Sequence, residues 1–353
     1  MKTSSTLIGY AFGHFAVDFS CGFILFSLSA GEKLELISAS VLFLVYNLLA
    51  FGTQFLFGIL SDRTAGNGKF LAAAGAAVCA AGLVVGARSP IACVLLMGFG
   101  NAAFHVGGGI DAVTRDAGYT RAGMFVSTGA LGIALGAHFG EKGKLPVFLF
   151  IIALLAAALW ILAACDGKKR EELNLTYTDE DDKTSPAIAT LGMSAVLILG
   201  AVLIRSWAGF LAPNAGSESR FAFLIPPMAA FAGKFLGGAL ADIFGARKTG
   251  TLAVLLAIPL YFVGANHFIV FAAAVFCYNI AMPITLVELV RRLKGHEGFA
   301  FGLTTLALLL GYLGSVLLPL PVRAAKFAVV FLSFIAAADI YLTSSDRPTG
   351  LGK

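Results

Sequence analysis

Apolar residues run along this chain in blocks of about twenty, parted by short polar breaks, and about twenty residues is what a helix needs to cross the hydrocarbon core of a bilayer. Measured with that ruler, the sequence predicts twelve membrane-spanning helices. Six fall at about 6–30, 36–60, 69–87, 90–112, 121–140 and 145–165. Six more fall at about 187–211, 220–241, 249–265, 267–289, 297–319 and 325–343. Most breaks are only a few residues long. The exception is Asp166 to Pro186, DGKKREELNLTYTDEDDKTSP, which is rich in charge and has no apolar face. Such a segment cannot build a core and reads as a solvated linker. The expected fold class is therefore an all-α membrane protein. Its expected parts are an N-terminal six-helix bundle (1–165), a cytoplasmic linker (166–186) and a C-terminal six-helix bundle (187–353).

Composition agrees. The 353 residues are 58% hydrophobic and 13% charged, with a mean hydropathy of +0.88. A water-soluble domain carries about a quarter charged residues, so no soluble surface can be made from this mixture. The opening MKTSSTLIGYAFGHFAVDFS has one basic residue and no cleavage-like site, and it reads as a first span, not a signal peptide. The five cysteines sit singly in apolar runs and look like small buried hydrophobes. The net charge of +5 follows from how Lys and Arg are shared between alternate loops, and calls for no nucleic acid. With both termini in the cytoplasm, sixteen basic residues fall on that side and seven on the other. That bias sets the expected orientation in a plasma (inner) membrane.

The two halves also repeat. GILSDRTAGNGK (Gly58 to Lys69) closes the second span and GALADIFGARK (Gly238 to Lys248) closes the eighth. Gly58 matches Gly238 and Asp62 matches Asp242, each pair 180 residues apart. A glycine lets two helices approach closely. An aspartate at a helix end can meet a neighbouring helix N-terminus or a basic side chain. Gly58, Asp62 and Arg63, with Gly238, Asp242, Arg247 and Lys248, resemble the paired loop signature of the major facilitator superfamily. That resemblance implies two six-helix bundles related by a pseudo-two-fold axis, with these residues gating the cytoplasmic side. In the first half, GHFAVDF and the run Gly98 to Gly136 are similar to the fosmidomycin-resistance branch of drug efflux proteins. The shared residues are His14, Asp18, Phe104-His105, Arg115, Arg121, Gly132 and Gly136. Val106-Gly107 and Gly136-Ala137 depart from that branch's pattern.

His14 and Asp18, four residues apart, lie on one face near the middle of the first span and can touch. A lone carboxylate at that depth costs about 2.5–3.5 kcal/mol on insertion scales, so it faces water or a partner. The pair can take up and release a proton, or it can be a hydrogen bond that locks the helix. His105 and Asn101 share a face of the fourth span; Tyr278 and Asn279 lie in its counterpart, the tenth. Lys234 sits well inside the eighth span, and Arg205 lies in the outer part of the seventh, facing the cavity or the outer interface.

Acid in the front half and base in the rear fit a carrier that binds an organic anion midway. The expected substrate contacts are His105, Lys234, Arg205, Asn101, Tyr278 and Asn279, with Asp18 and His14 coupling protons. Efflux of an anionic drug by antiport is slightly favoured over proton symport of a small carboxylate. A divalent transition-metal carrier using His14, Asp18, Cys21 and His105 is the third reading. The chain has no H-E-x-x-H and no G-x-S-x-G, so no enzyme is expected. Neither a cofactor nor a resident metal is expected, and a monomer is.

Overall fold

The computed structural model describes residues 2–30, 39–64, 68–115, 118–143, 145–164, 188–213, 216 and 221–346. The linker over 166–186 lies outside the described residues. In the first half the helices are α1 (Lys2–Ala30), α2 (Ala39–Ala50), α3 (Gln54–Arg63), α4 (Gly68–Gly86), α5 (Pro90–Thr114), α6 (Thr120–Lys142) and α7 (Val147–Ala164). The second half has α8 (Ile188–Leu211), α9 (Ile225–Phe244), α10 (Ala246–Gly264), α11 (Phe268–Arg292), α12 (Glu297–Leu317) and α13 (Val322–Thr343). Helices α2 and α3 form one span, Ser40–Arg63. Among the described residues, eleven spans are long and apolar enough to cross a membrane, and α7 is a shorter apolar helix beside them.

Most boundaries fall within a few residues of the sequence expectation, and two differ for local reasons. The second span runs to Arg63 and is interrupted at Phe51 to Thr53, where the side chain of Thr53 caps back onto the Leu49 carbonyl at 2.6 Å. The eighth span starts later than expected, because Pro226 and Pro227 open α9 after a single 3-10 turn at Ala222–Leu224. The first turn is where a missing N–H costs nothing.

The near face, where α1 begins and α13 ends, also holds the ends of α3, α5, α9 and α11 and the starts of α4, α6, α10 and α12. Leu159, Leu317 and Phe331 are each about two-thirds exposed or more, at 67%, 74% and 66%. An outward apolar surface of that kind is wetted by lipid, not water. One core cluster joins Tyr10, Phe104, Phe125 and Ile161 to Ala241, Ile284 and Phe301 of the second half. A second lies wholly in the rear half, around Tyr261, Tyr278, Val329 and Ile340. Helix α6 lies so close on α1 that a Cβ at Gly132 or Gly140 would strike the Phe15 or Phe23 carbonyl.

Candidate functional site

Two junctions close the near face between the halves. At the end of α3, the Asp62 carboxylate accepts the backbone N–H groups of Gly298 (3.0 Å) and Phe299 (2.9 Å). These are orphan donors in the first turn of α12, so Asp62 caps a helix of the other half. Gly58 permits the approach, since a Cβ there would run into the Gly298 carbonyl. At the end of α9, Asp242 accepts the N–H groups of Tyr119 (2.8 Å) and Thr120 (2.9 Å) and the Thr120 hydroxyl (2.5 Å). It caps α6 in the same way, and Gly238 lies against the Tyr119 carbonyl. Each half thus holds a helix start of the other.

The basic residues of the loops do something else. Arg63 is exposed and lines a cavity of about 310 Å³ with Ile59, Asp62, Gly295, His296 and Phe299. Arg247 turns to the end of α13, donating to Asp346 (2.5 Å) and to the Ser344 carbonyl (3.0 Å). Lys248 is exposed. A third junction was not read from the sequence. The Tyr119 hydroxyl donates to Glu288 on α11 and accepts from Arg291 (2.5 Å), while Arg292 donates to the other Glu288 oxygen (2.6 Å). Burial, with the Glu288 carboxylate alongside, holds the Tyr119 hydroxyl well above the ordinary phenol value, so it stays a neutral donor. Nothing in a lone tyrosine before a helix signals a partner 169 residues away.

Midway along the helices, α1 and α5 bring four polar side chains together. His14 Nε2 lies 3.2 Å from Asp18 Oδ2, and His105 Nε2 lies 3.7 Å from Asp18 Oδ1. Asn101 donates to Asp18 Oδ1 at 2.9 Å. The two imidazoles meet through Nε2 at 2.8 Å. Their other nitrogens face backbone carbonyls: His14 Nδ1 that of Phe125 on α6 (2.6 Å), His105 Nδ1 that of Asn101 (2.9 Å). The Phe125 ring stacks on His14. The side chains of Asp18 and His105 stay 15% and 13% accessible, so the cluster borders open space. Gly129 is the neighbour the sequence did not flag. A Cβ there would lie 2.3 Å from both Asp18 Oδ2 and His14 Nε2.

Of the four donors named as a metal set, His14, Asp18 and His105 bring ligand atoms within 4.8 Å of one another. Cys21 is not one of that group and lies 3.8 Å from the Asn101 amide nitrogen. Lys234, half-buried on α9, is within electrostatic reach of Asp18, His105 and Arg205, and makes no hydrogen bond or ion pair among the described residues. Its positive charge opposes a dication at the three donors. Arg205 is 8% exposed and does not reach the outer interface. It donates to the Tyr278 carbonyl (2.9 Å) and the Thr285 hydroxyl (3.5 Å), lies over the Tyr278 ring, and keeps a buried Nε with no partner among the described residues. Tyr278 is spent on Ser333 (3.0 Å), and Asn279 on the Val275 carbonyl of its own helix (2.8 Å).

No protein-family model matches the chain, and neither does any curated protein. Solved structures do. FucP, a major facilitator superfamily transporter in the outward conformation, is 14% identical, with a TM-score of 0.70 over 97% of this chain and 98% of that one. An asparagine-to-alanine variant of FucP, the E. coli fucose:proton symporter, is 13% identical, with a TM-score of 0.65 over the same shares. Likeness at these identities speaks for the fold alone, and the fold is that of the major facilitator superfamily, with eleven apolar spans and one shorter apolar helix among the described residues.

Proposed function

We propose that this protein is a secondary transporter that moves a small organic anion by alternating access, coupled to protons at Asp18 and His14. The observation that carries the reading is the pair of reciprocal caps. Asp62 on α12 and Asp242 on α6 join the halves at one face by five hydrogen bonds. Such a junction can be released and remade as the halves rock, which is what gating by Gly58, Asp62, Gly238 and Asp242 requires. In this reading residues 1–165 and 187–353 are the two moving bodies, the chain works as a monomer, and the near face is cytoplasmic in a plasma membrane.

Lys234 is the substrate's main contact, because its charge acts on Asp18 and His105 and it makes no hydrogen bond or ion pair among the described residues. Arg205 adds positive potential from behind, and Asn101, Tyr278 and Asn279 shape the polar wall. The charges favour symport over antiport. A proton near His14 and the Lys234 ammonium repel each other, and an anion beside Lys234 relieves that repulsion, so anion and proton bind together. The FucP neighbour is itself named a fucose:proton symporter. The likeness of the first half to the fosmidomycin-resistance branch supports the opposite coupling, drug efflux. A thermal-shift screen of the purified chain against small carboxylates, phosphates and neutral sugars, fucose included, tests the substrate class. Stabilisation by anions that is lost in Lys234→Ala is expected. Stabilisation by neutral sugars alone, unchanged in that variant, rejects the anion reading.

A further inference from the structure

The central cluster contains a proton count that the distances fix. A backbone carbonyl only accepts hydrogen bonds. His14 Nδ1 sits 2.6 Å from the Phe125 carbonyl and His105 Nδ1 sits 2.9 Å from the Asn101 carbonyl, so both Nδ1 atoms carry hydrogen. A neutral imidazole has one N–H, which would leave two bare Nε2 lone pairs pointing at each other across 2.8 Å. Two acceptors at that distance repel. A single additional proton turns the same contact into a hydrogen bond.

We infer that His14 and His105 share one proton between their Nε2 atoms, with Asp18 as the counter-anion, so that the carrier's proton site is a two-histidine bridge and His105 is a proton ligand, not a substrate contact. This rests on the coupled-carrier reading for its use, though not for its geometry. The balance closes: four ring nitrogens hold three protons, one imidazolium charge faces one carboxylate, and the cluster is neutral overall. Asn101 fixes the carboxylate by donating to Oδ1, while Oδ2 lies nearest the bridge at 3.2 Å. The groups facing the bridge are Asp18 from α1 and Lys234 from α9. Helix α6 presents the Phe125 ring and Gly129, and α5 presents Asn101 and Phe104. Cys21 of α1, with Tyr46 of α2 and Cys79 of α4, lies behind Asp18. When the proton leaves, one ring has to turn or the two helices have to part, because the bare pair cannot stay at this distance. Deprotonation is thereby tied to movement between α1 and α5.

The test is nuclear magnetic resonance on the full chain, labelled with nitrogen-15 in its five histidines and reconstituted in lipid nanodiscs. A far-downfield proton shared by two ring nitrogens is expected at neutral pH, with both rings protonated at Nδ1. It should vanish in His14→Gln and in His105→Gln, while His138, His267 and His296 keep their signals. Gly129→Ala changes no titratable group but drives a Cβ into the bridge, and should abolish the same resonance in a folded protein. Asp18→Asn should do so by removing the counter-anion. Two separate neutral rings, or a resonance that survives in His105→Gln, overturns the bridge. So does one divalent ion per chain found by metal analysis after chelator washing, because the Nε2 atoms would then be its ligands. None of these readouts depends on transport, so the bridge can fail while the carrier reading stands, and the reverse.

Discussion

Helices α3 and α9 end in the same device and differ one turn further in. Gly58 and Gly238, Asp62 and Asp242 hold matching places, and each aspartate caps a helix start in the opposite half. Four residues before those glycines stand Gln54 and Lys234, on the same 180-residue offset. Gln54 is fully buried, bonds the Ala50 carbonyl at 2.7 Å, and packs where Gly302 of α12 crosses. Lys234 is half-buried and free of direct partners among the described residues. The offset also sets Asn101 and His105 against Ala281 and Thr285. The contact between the halves has kept its symmetry; the layer of the central cluster has lost it. Under the proposed carrier reading, symmetry is thus a guide to the gate and its absence a guide to the site.

Placing the rear half's charge in the front half is the strongest way to break that contrast. In Gln54→Lys an ammonium is buried with no acid beside it, and an uncompensated buried charge costs about 3–5 kcal/mol. The thermal midpoint in detergent should fall steeply, or folded protein should be lost. Lys234→Gln makes the reverse change at a half-buried position and should leave the midpoint nearly unchanged. Equal tolerance of both would show that the two positions are interchangeable and that the asymmetry is not about charge.

Removing the caps is the next largest change. Replacing a capping aspartate by alanine costs about 0.5–2 kcal/mol, and the two sets of capped N–H groups belong to different helices, so their effects should add. The loss falls on the state closed at the near face. With about 1.4 kcal/mol per tenfold, Asp62→Ala combined with Asp242→Ala should open that face by roughly tenfold or more. Thiol labelling of a cysteine introduced by Phe299→Cys reads the opening. Labelling that accelerates in one single variant but not the other would mean that only one junction holds the face shut.

The caps were legible in the sequence because a short local pattern, glycine then aspartate at the end of an apolar run, carries the whole contact. Twelve helices were legible for the same reason, since length and hydropathy are local properties. What stayed hidden depends on which helix lies opposite. Arg247 looked like a gate residue from its place in the repeat, yet its partners, Ser344 and Asp346, come from the end of α13. His105 looked like a substrate contact because α5 faces the centre, and only the packing of α1 against α5 turns its Nε2 toward His14. Gly129 carries no side-chain chemistry at all, and its meaning lies entirely in the two atoms it leaves room for.

The smallest expected effect concerns the third junction, which has no copy in the repeat. Tyr119→Phe deletes one hydroxyl, while Glu288 keeps Arg291, Arg292 and the Ser345 N–H. A loss of about 1 kcal/mol is expected, the ordinary net worth of one hydrogen bond. Its pH dependence has a definite sign. Burial raises the Tyr119 hydroxyl above the ordinary phenol value of about 10, so the neutral form belongs to the closed, folded state. The stabilisation is therefore whole below about pH 10 and drains away above it, as the exposed phenol of the open or unfolded state begins to ionise first. Thermal midpoints of the two proteins should differ by a constant amount from about pH 6 to 9 and converge at higher pH. A gap that widens with pH would mean that the closed state holds a phenolate against Arg291. The junction would then draw its strength from an ion pair between the halves, and Glu288 would be a competitor of that pair instead of its partner.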